Sequence, residues 1–284
     1  MKLTKYLTET ANKLKENPHS SANIEARLLI SYILQIDINQ LFLNDDLDLT
    51  IDQKNQLKKL IKRRVNGEPM AYILGRREFY GNDFIIDKNV LDPRCDSEAM
   101  IELIKEQYQN QSLQSLKLIE LGIGSGCLII SILMEFKMWM GIGVDISKKA
   151  IIIAKKNCQK FDLTTRLKII NGDLFSKIKL NEKFDIIISN PPYIPSAEIK
   201  NLQNEVAIFE PKIALDGGLD GLDFYRNIAN KSSQFLEKNG SIFLEIGYDQ
   251  EESVIKIFNI HNFYLHSKKA DLANIVRILH FKQV

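Results

Sequence analysis

Residues 116–136 read LKLIELGIGSGCLIISILMEF. The first six residues are mostly apolar and suit a short buried strand. Gly122, Gly124 and Gly126 alternate through a turn, and CLIISILMEF is long and apolar enough for a buried helix. A strand that runs through a glycine-rich turn directly into a helix is the opening unit of an α/β sheet. The pattern continues downstream: GIGVD (141–145) and ISKKAIIIAKKN (146–157) repeat the strand and helix, and RLKIING (166–172), FDIIISN (184–190) and SIFLEIG (241–247) are further strands. SEAMIELIKEQY (97–108) is an amphipathic helix upstream. This alternation predicts a parallel sheet with helices on both faces.

The region before residue 95 reads differently. In NIEARLLISYIL (23–34), Ile24, Leu28, Leu29, Tyr32 and Ile33 recur at helical spacing and predict one apolar stripe. A second helix is expected over 52–65, with Ile51, Leu57, Leu60 and Ile61 on its apolar face and Asn66-Gly67 as its stop. Residues 70–90 hold Tyr72, Phe79, Tyr80, Phe84 and Ile86 between glycines, which suggests short strands or a hairpin. The 284-residue chain therefore divides into a small helical domain (1–85), a hairpin linker to about residue 95, and an α/β domain (96–284).

Composition excludes several classes of function. Cys95, Cys127 and Cys158 are odd in number and widely spaced, which argues against both a disulfide framework and a zinc site, and no metal is expected. MKLTKYLTETANKLKEN lacks the apolar core of a secretion signal, and no uncharged run nears the roughly 18 residues that span a bilayer. A cytoplasmic protein without membrane contact is the expectation. Net charge is only +2, with 14 Lys+Arg against 12 Asp+Glu in residues 1–90 and 24 against 24 in the rest. Stable nucleic-acid binding is therefore not expected. The basic run Lys54, Lys58, Lys59, Lys62, Arg63 and Arg64 reads as a solvated helix face.

Three strand ends carry residues suited to a nucleoside. The turn Gly122, Ile123, Gly124, Ser125, Gly126 lets a ligand approach the main chain and the helix N-terminus, although nicotinamide and flavin enzymes use such turns too. Asp145 closes the next strand, where a carboxylate can accept from both ribose hydroxyls or, alternatively, cap the following helix. Asp173 stands just past a third strand as a partner for an adenine amino group or a plain loop carboxylate, with Leu174 beside it as an apolar wall. Ligands of open α/β sheets bind beyond the carboxyl ends of the strands, so these positions converge.

The fourth strand ends in SNPPYIP (189–195). Pro191 and Pro192 fix φ and offer no N–H, so the stretch is stiff and poor in donors. The Asn190 side-chain oxygen and the Pro191 carbonyl can accept both N–H bonds of a planar NH2. That would free the nitrogen lone pair and stabilise the charge that develops on it, while Tyr193 stacks on the planar face. Beside a nucleoside, the expected chemistry is methyl transfer from the sulfonium of S-adenosylmethionine.

NPPY after a buried strand, with the glycine turn and Asp145 upstream, resembles amino-group methyltransferases of adenine, cytosine, guanine or glutamine. NGEPMAYILGRREFYG (66–81), EVAIFEPKIALDGGLDGLDFYRNI (205–228), LEIGYDQ (244–250) and ADLANIVRIL (270–279) resemble one family among them, the HemK/PrmC type release factor glutamine methyltransferases. The resemblance implies a Rossmann-like class I methyltransferase sheet with helices on both faces, plus a small N-terminal helical domain. It also implies S-adenosylmethionine as cofactor, and N5-methylation of the glutamine in the Gly-Gly-Gln loop of peptide chain release factors, which would be the partners. On that resemblance Gly122 to Gly126, Asp145 and Leu174 serve the cofactor, and Asn190, Pro191, Pro192 and Tyr193 serve the substrate amide. Glu120 stands where the family has aspartate and could still accept from the cofactor's amine. Asp92, Cys95 and Ser97 in LDPRCDSE depart from the family's Leu-Ile-Pro-Arg-Pro-Asp-Thr-Glu, and Ala207 and Ile208 replace residues that are commonly polar. The rival within the same chemistry is an amino methyltransferase acting on adenine in DNA or on ribosomal RNA.

Overall fold

Four helices open the chain: α1 (Leu3–Leu14), α2 (Ala22–Leu34), α3 (Ile51–Val65) and the short α4 (Met70–Leu74). The computed structural model describes residues 3–43, 46–111, 113–271 and 273–284. Helix α3 begins at a capping box, in which the Thr50 side chain accepts from the Gln53 amide and the Gln53 side chain accepts from the Thr50 amide. It ends at Asn66, followed by Gly67 at φ +90°, as the Asn-Gly stop predicts. The apolar face of α2 differs from the expected stripe: Ala22, Ala26, Leu29, Ile30 and Ile33 are buried, whereas Ile24 and Tyr32 are exposed. Nine of the thirteen positions of this helix are apolar and they are spread around it, so periodicity alone does not choose the face.

Nor is the basic run of α3 wholly solvated. Arg64 is only 3% exposed; its Nε and Nη2 each donate to a Glu25 carboxylate oxygen at 2.8 Å, and its Nη1 pairs with Glu205. Arg63 donates to both oxygens of Glu68 at 2.7 and 2.6 Å. Two consecutive arginines thus act as buried or bidentate ties, a use that their long, five-donor side chains permit and that charge counting does not see.

Residues 70–74, expected to be extended, are helical; the hairpin follows as β1 (Arg76–Phe79) and β2 (Asn82–Ile85), turning at Tyr80-Gly81. Next come α5 (Glu98–Tyr108), β3 (Lys117–Leu121), α6 (Cys127–Glu135), β4 (Met140–Asp145), α7 (Lys148–Lys160), β5 (Leu167–Asn171), β6 (Phe184–Ser189), α8 (Asn204–Phe209) and α9 (Asp223–Phe235). The chain closes with β7 (Leu236–Glu245), α10 (Glu251–Ile260), β8 (Phe263–Ala270) and β9 (Val276–Gln283). By contact the chain forms two compact units: residues 1–76 with 203–209, and residues 77–202 with 210–284.

In the second unit, seven strands form one sheet in the order β5-β4-β3-β6-β7-β9-β8. The first five are parallel, as predicted, but β9 runs antiparallel to both β7 and β8, so the sheet is mixed. Along β3, Ile119 and Leu121 point into a core shared with Tyr225 and Ile228 of α9 and Val254 and Phe258 of α10. The other face is covered by α5, α6 and α7, which pack side by side. Register then places the site. Leu121 pairs with Val144, Asp145 with Asn171, and Ser189 with Leu244, so Gly122, Asp145, Gly172, Asn190 and Glu245 leave neighbouring strands at one edge. Chain order reverses direction on either side of β3, which makes this edge the switch point where α/β sheets bind ligands.

Candidate active site

A cleft of about 970 Å³, counted to its mouth, opens at that edge. It is lined by Glu120, Gly122, Ile123, Gly124, Ser125, Asp145, Asp173, Leu174, Asn190 and Pro192, so ten of the residues expected from sequence meet in one place. Gly126, Pro191 and Tyr193 are not among its lining residues. Gly126 caps α6 at φ +81°, and a Cβ there would lie 3.0 Å from Ile130 Cδ1. Pro191 is buried. Tyr193 is half-buried against the core shared with α9 and α10; burial pushes its hydroxyl up to about 12, so it remains a neutral phenol.

The glycine turn is built from local hydrogen bonds. The Gly122 and Ile123 amides both donate to the Val144 carbonyl, at 2.8 and 2.9 Å, and the Gly126 amide donates to the Ile123 carbonyl at 2.7 Å. Gly124 sits at φ +53° with nothing within 4 Å of a hypothetical Cβ, so its backbone faces open cleft. Ile123 points the other way: a Cβ on Gly143 would lie 2.1 Å from Ile123 Cδ1, so the glycine in β4 makes room for the plug that anchors the turn. Asn157 adds a distant tie, exchanging hydrogen bonds with both backbone groups of Ile85 and donating to the Ser125 carbonyl at 2.9 Å.

Asp145 has one oxygen on the Gly124 amide (2.9 Å) and the other on the Ser147 amide (2.8 Å). The helix cap itself is Ser147, whose hydroxyl accepts from Ala150, so Asp145 organises the turn and the helix start together. Each of its oxygens keeps a lone pair toward the cleft, enough for a diol. Burial raises its carboxyl, against the pull of the Ser147 and Gly124 amides. Glu120 is buried and accepts from the Ile129 amide at 3.2 Å, and burial raises its carboxyl well above the usual range. Leu174 adopts φ +45°, a left-handed conformation uncommon for leucine, at the cleft wall. Asp173 is exposed at the rim. A ribose acceptor, an apolar wall, an open glycine backbone and a deep carboxylate together fit an adenosine bearing an amino-acid tail.

The proline loop is held from afar. The Ile194 amide donates to the Leu215 carbonyl (3.0 Å) and the Gly217 amide to the Ile194 carbonyl (2.9 Å). A Cβ on Gly217 would lie 2.8 Å from Tyr193 Cα, and one on Gly221 2.3 Å from the Tyr193 oxygen. The DGGLDGLD stretch therefore lies flat against the back of NPPY because only glycine permits that approach. Gln250 Nε2 donates to the Tyr193 and Gly221 carbonyls at 2.9 and 3.3 Å. Asn190 Nδ2 donates to Ser97 Oγ at 3.1 Å, and Ser97 Oγ donates to the buried Glu245 at 2.5 Å. At the mouth, Arg94 pairs with both Asp92 and Glu210, joining the segments that bring Pro93 and Pro211 to the cleft. Asn157, Glu245 and Gln250 were not singled out from sequence, and Ser97 was noted only as a departure from the family's segment, with no role. LEIGYDQ contains two of them, but nothing in its pattern says which side chain turns inward.

Residues 5–75 match the model of the PrmC N-terminal domain, and residues 92–216 match that of the methyltransferase small domain. A release factor glutamine methyltransferase of Agrobacterium fabrum is 37% identical over 264 residues, covering 92% of this chain and 90% of that protein. One of Geobacter sulfurreducens is 35% identical over 261 residues, covering 92% and 89%. A bifunctional methyltransferase of Rickettsia conorii is 36% identical over 300 residues; the match takes in 98% of this chain, which spans 57% of that relative's length. Among solved structures, a methyltransferase from Pyrococcus furiosus superposes with a TM-score of 0.51 at 12% identity, over 82% of this chain and 98% of its own. A T. thermophilus 16S rRNA methyltransferase in complex with AdoMet and guanosine gives 0.52 at 14% identity, over 74% and 50%. At such identities these two establish the fold.

Proposed function

The chain belongs to the release factor glutamine methyltransferase family, and we propose that it transfers a methyl group from S-adenosylmethionine to the side-chain amide nitrogen (N5) of the glutamine in the Gly-Gly-Gln loop of peptide chain release factors. The observation that carries this reading is one cleft lined by both Asp145 and Asn190. A nucleoside held at the first places its tail near an acceptor nitrogen held at the second.

Asp145 would take the ribose diol, Leu174 and Asp173 the base, the glycine turn the backbone approach, and Glu120 the ammonium group of the tail. The cofactor supplies an electrophilic methyl group on a sulfonium. The protein supplies orientation and charge stabilisation. Asn190 Oδ1 and the Pro191 carbonyl accept the two N–H bonds of the amide, favour the pyramidal geometry that frees its lone pair, and stabilise the positive charge that builds on nitrogen while the new C–N bond replaces the C–S bond of the sulfonium. One N–H proton then leaves to water, so the methylated amide and the thioether left behind are both neutral. The stiff Asn-Pro-Pro backbone holds both acceptors in place before the substrate arrives, so little reorganisation is needed during the transfer. In this proposal the helical unit docks the release factor, and the enzyme works in the cytoplasm. No helix among the described residues is long and apolar enough to cross a membrane.

The test supplies the purified protein with labelled S-adenosylmethionine and four acceptors: folded release factor, its loop glutamine-to-glutamate variant, duplex DNA and ribosomal RNA. Label is expected on the first alone. Label on either nucleic acid and none on release factor would overturn the substrate assignment.

A further inference from the structure

The Asn190 amide has two chemically opposite ends, and the end that faces the cleft decides what can bind there. Beside it lie two residues remote in sequence: Ser97, in the single helical turn before α5 and itself a lining residue of the cleft, and Glu245, the last residue of β7. Both are buried, at 2% and 3% exposure. In its ionised form the Glu245 carboxylate can only accept, so the single Ser97 proton then goes to Glu245 across the 2.5 Å contact. What Ser97 then has left is a lone pair. The only end of Asn190 that can meet a lone pair is its NH2, which lies 3.1 Å away. That leaves the oxygen as the end of Asn190 free to accept in the cleft, which Asn190 and Ser97 both line.

We propose that Ser97 and Glu245 are positioning residues that lock the Asn190 amide with its oxygen toward the cleft, making the site selective for an NH2-bearing acceptor over the matching carboxylate. The inference rests on the proposed function for the identity of the acceptor, while the lock itself needs only the three side chains. Other contacts hold the base of the lock. The Tyr225 hydroxyl donates to the Glu245 carbonyl at 2.9 Å, fixing the end of β7. Arg277, itself held by Asp271 at 2.9 Å, and Asp96 are the charged groups that act on the Glu245 carboxyl. Selectivity of this kind comes from the orientation of one amide rather than from cleft shape, since glutamine and glutamate side chains are nearly the same size.

The variant Glu245→Gln keeps the shape but adds a donor, so Ser97 can point either way and Asn190 can turn over. Its kcat should fall by roughly tenfold or more while affinity for S-adenosylmethionine stays within a few-fold. The glutamate form of the release factor should compete weakly with the wild type and about tenfold better with this variant, a change that simple loosening of the fold would not produce. Ser97→Ala should behave like Glu245→Gln, and Ser97→Thr, which keeps the hydroxyl, should restore both readouts; this pair decides the matter if Glu245→Gln does not fold. Unchanged kcat and unchanged competition in Ser97→Ala would overturn the lock. A substrate-free measurement separates the two claims. In ¹⁵N-labelled protein the Asn190 side-chain amide signal, assigned by its loss in Asn190→Ala, should exchange slowly with water and become fast in Ser97→Ala. Fast exchange in the wild type would refute the lock even if release factor is methylated. Slow exchange in a protein that leaves release factor unmethylated would support the lock and refute the functional reading.

Discussion

The two halves of the cleft are held together in different ways. The glycine turn and Asp145 are assembled largely by neighbours: amides of residues 122, 123 and 126 bond to carbonyls 144 and 123, and Asp145 bonds to amides 124 and 147, all within one strand-turn-helix-strand unit. The NPPY loop and the Ile194 that follows it are assembled by residues from 21 to 93 positions away, namely Ser97, Leu215, Gly217, Gly221, Glu245 and Gln250. A locally closed motif can be carried by many folds and says little about the reaction. A tetrapeptide that needs three other segments to hold it is specific only in their company. That is why 205–228 identifies the family more sharply than NPPY does: its glycines form the surface on which NPPY lies.

If the halves are separate, damage to one should spare the other. The largest effect is expected for Asp145→Ala. Two charge-assisted hydrogen bonds at about 1.5 to 3 kcal/mol each, only partly additive, predict a loss of roughly 10- to 1000-fold in S-adenosylmethionine affinity by calorimetry. Unchanged affinity would remove Asp145 from the cofactor half.

Next comes Gly221→Ala, on the acceptor side. With φ at +76° and the Tyr193 oxygen 2.3 Å from the added Cβ, the loop must move. A displacement of about 1 Å at reacting groups costs about 100-fold, so kcat/KM should fall on that scale while cofactor affinity holds within a few-fold. Equal losses in both would show that the halves are coupled and break the comparison.

A smaller and graded effect is expected with pH. Burial above all, with Asp96, raises the Glu245 carboxyl to about 7 against the pull of the Ser97 and Asn190 donors and Arg277. Only the ionised form orients Ser97 as required, so kcat should drop about tenfold for each pH unit below 7 and level off above it, measured with cofactor saturating. Stability follows the opposite sign. A carboxyl raised in the folded state from its ordinary 4.5 contributes stability that is present below 4.5 and lost as pH rises through about 7. Glu245→Gln should remove both trends.

Much of this was legible in the sequence. Strand-helix alternation gave five parallel strands, and three strand ends gave Gly122, Asp145 and Leu174 at one edge, because periodicity and glycine placement are local signals. The antiparallel β8 and β9 were not anticipated: FYLHSKKA and VRILHFKQ carry no mark of direction, which is set by their pairing with β7 and with each other. The buried face of α2 was misplaced because its apolar residues surround the helix. Arg64 was read as solvated because its partners Glu25 and Glu205 lie 39 and 141 positions away. Glu245, and the part Ser97 plays beyond its departure from the family's segment, were missed for the same reason, since a serine and a glutamate mean nothing together until the fold places them 2.5 Å apart.

In the proposed site the Asn190 oxygen receives the acceptor NH2, and Asn190→Asp is the sharpest probe of that contact. The change keeps an oxygen at the cleft but replaces the donor facing Ser97 with a second acceptor and brings a carboxylate toward Glu245. Single-turnover methyl transfer to release factor, followed by mass spectrometry of the glutamine-bearing peptide, should slow by roughly 100-fold or more, with S-adenosylmethionine affinity within a few-fold of wild type. Transfer at the wild-type rate would contradict the account, because the amide would then have no part in orienting the nitrogen that is methylated.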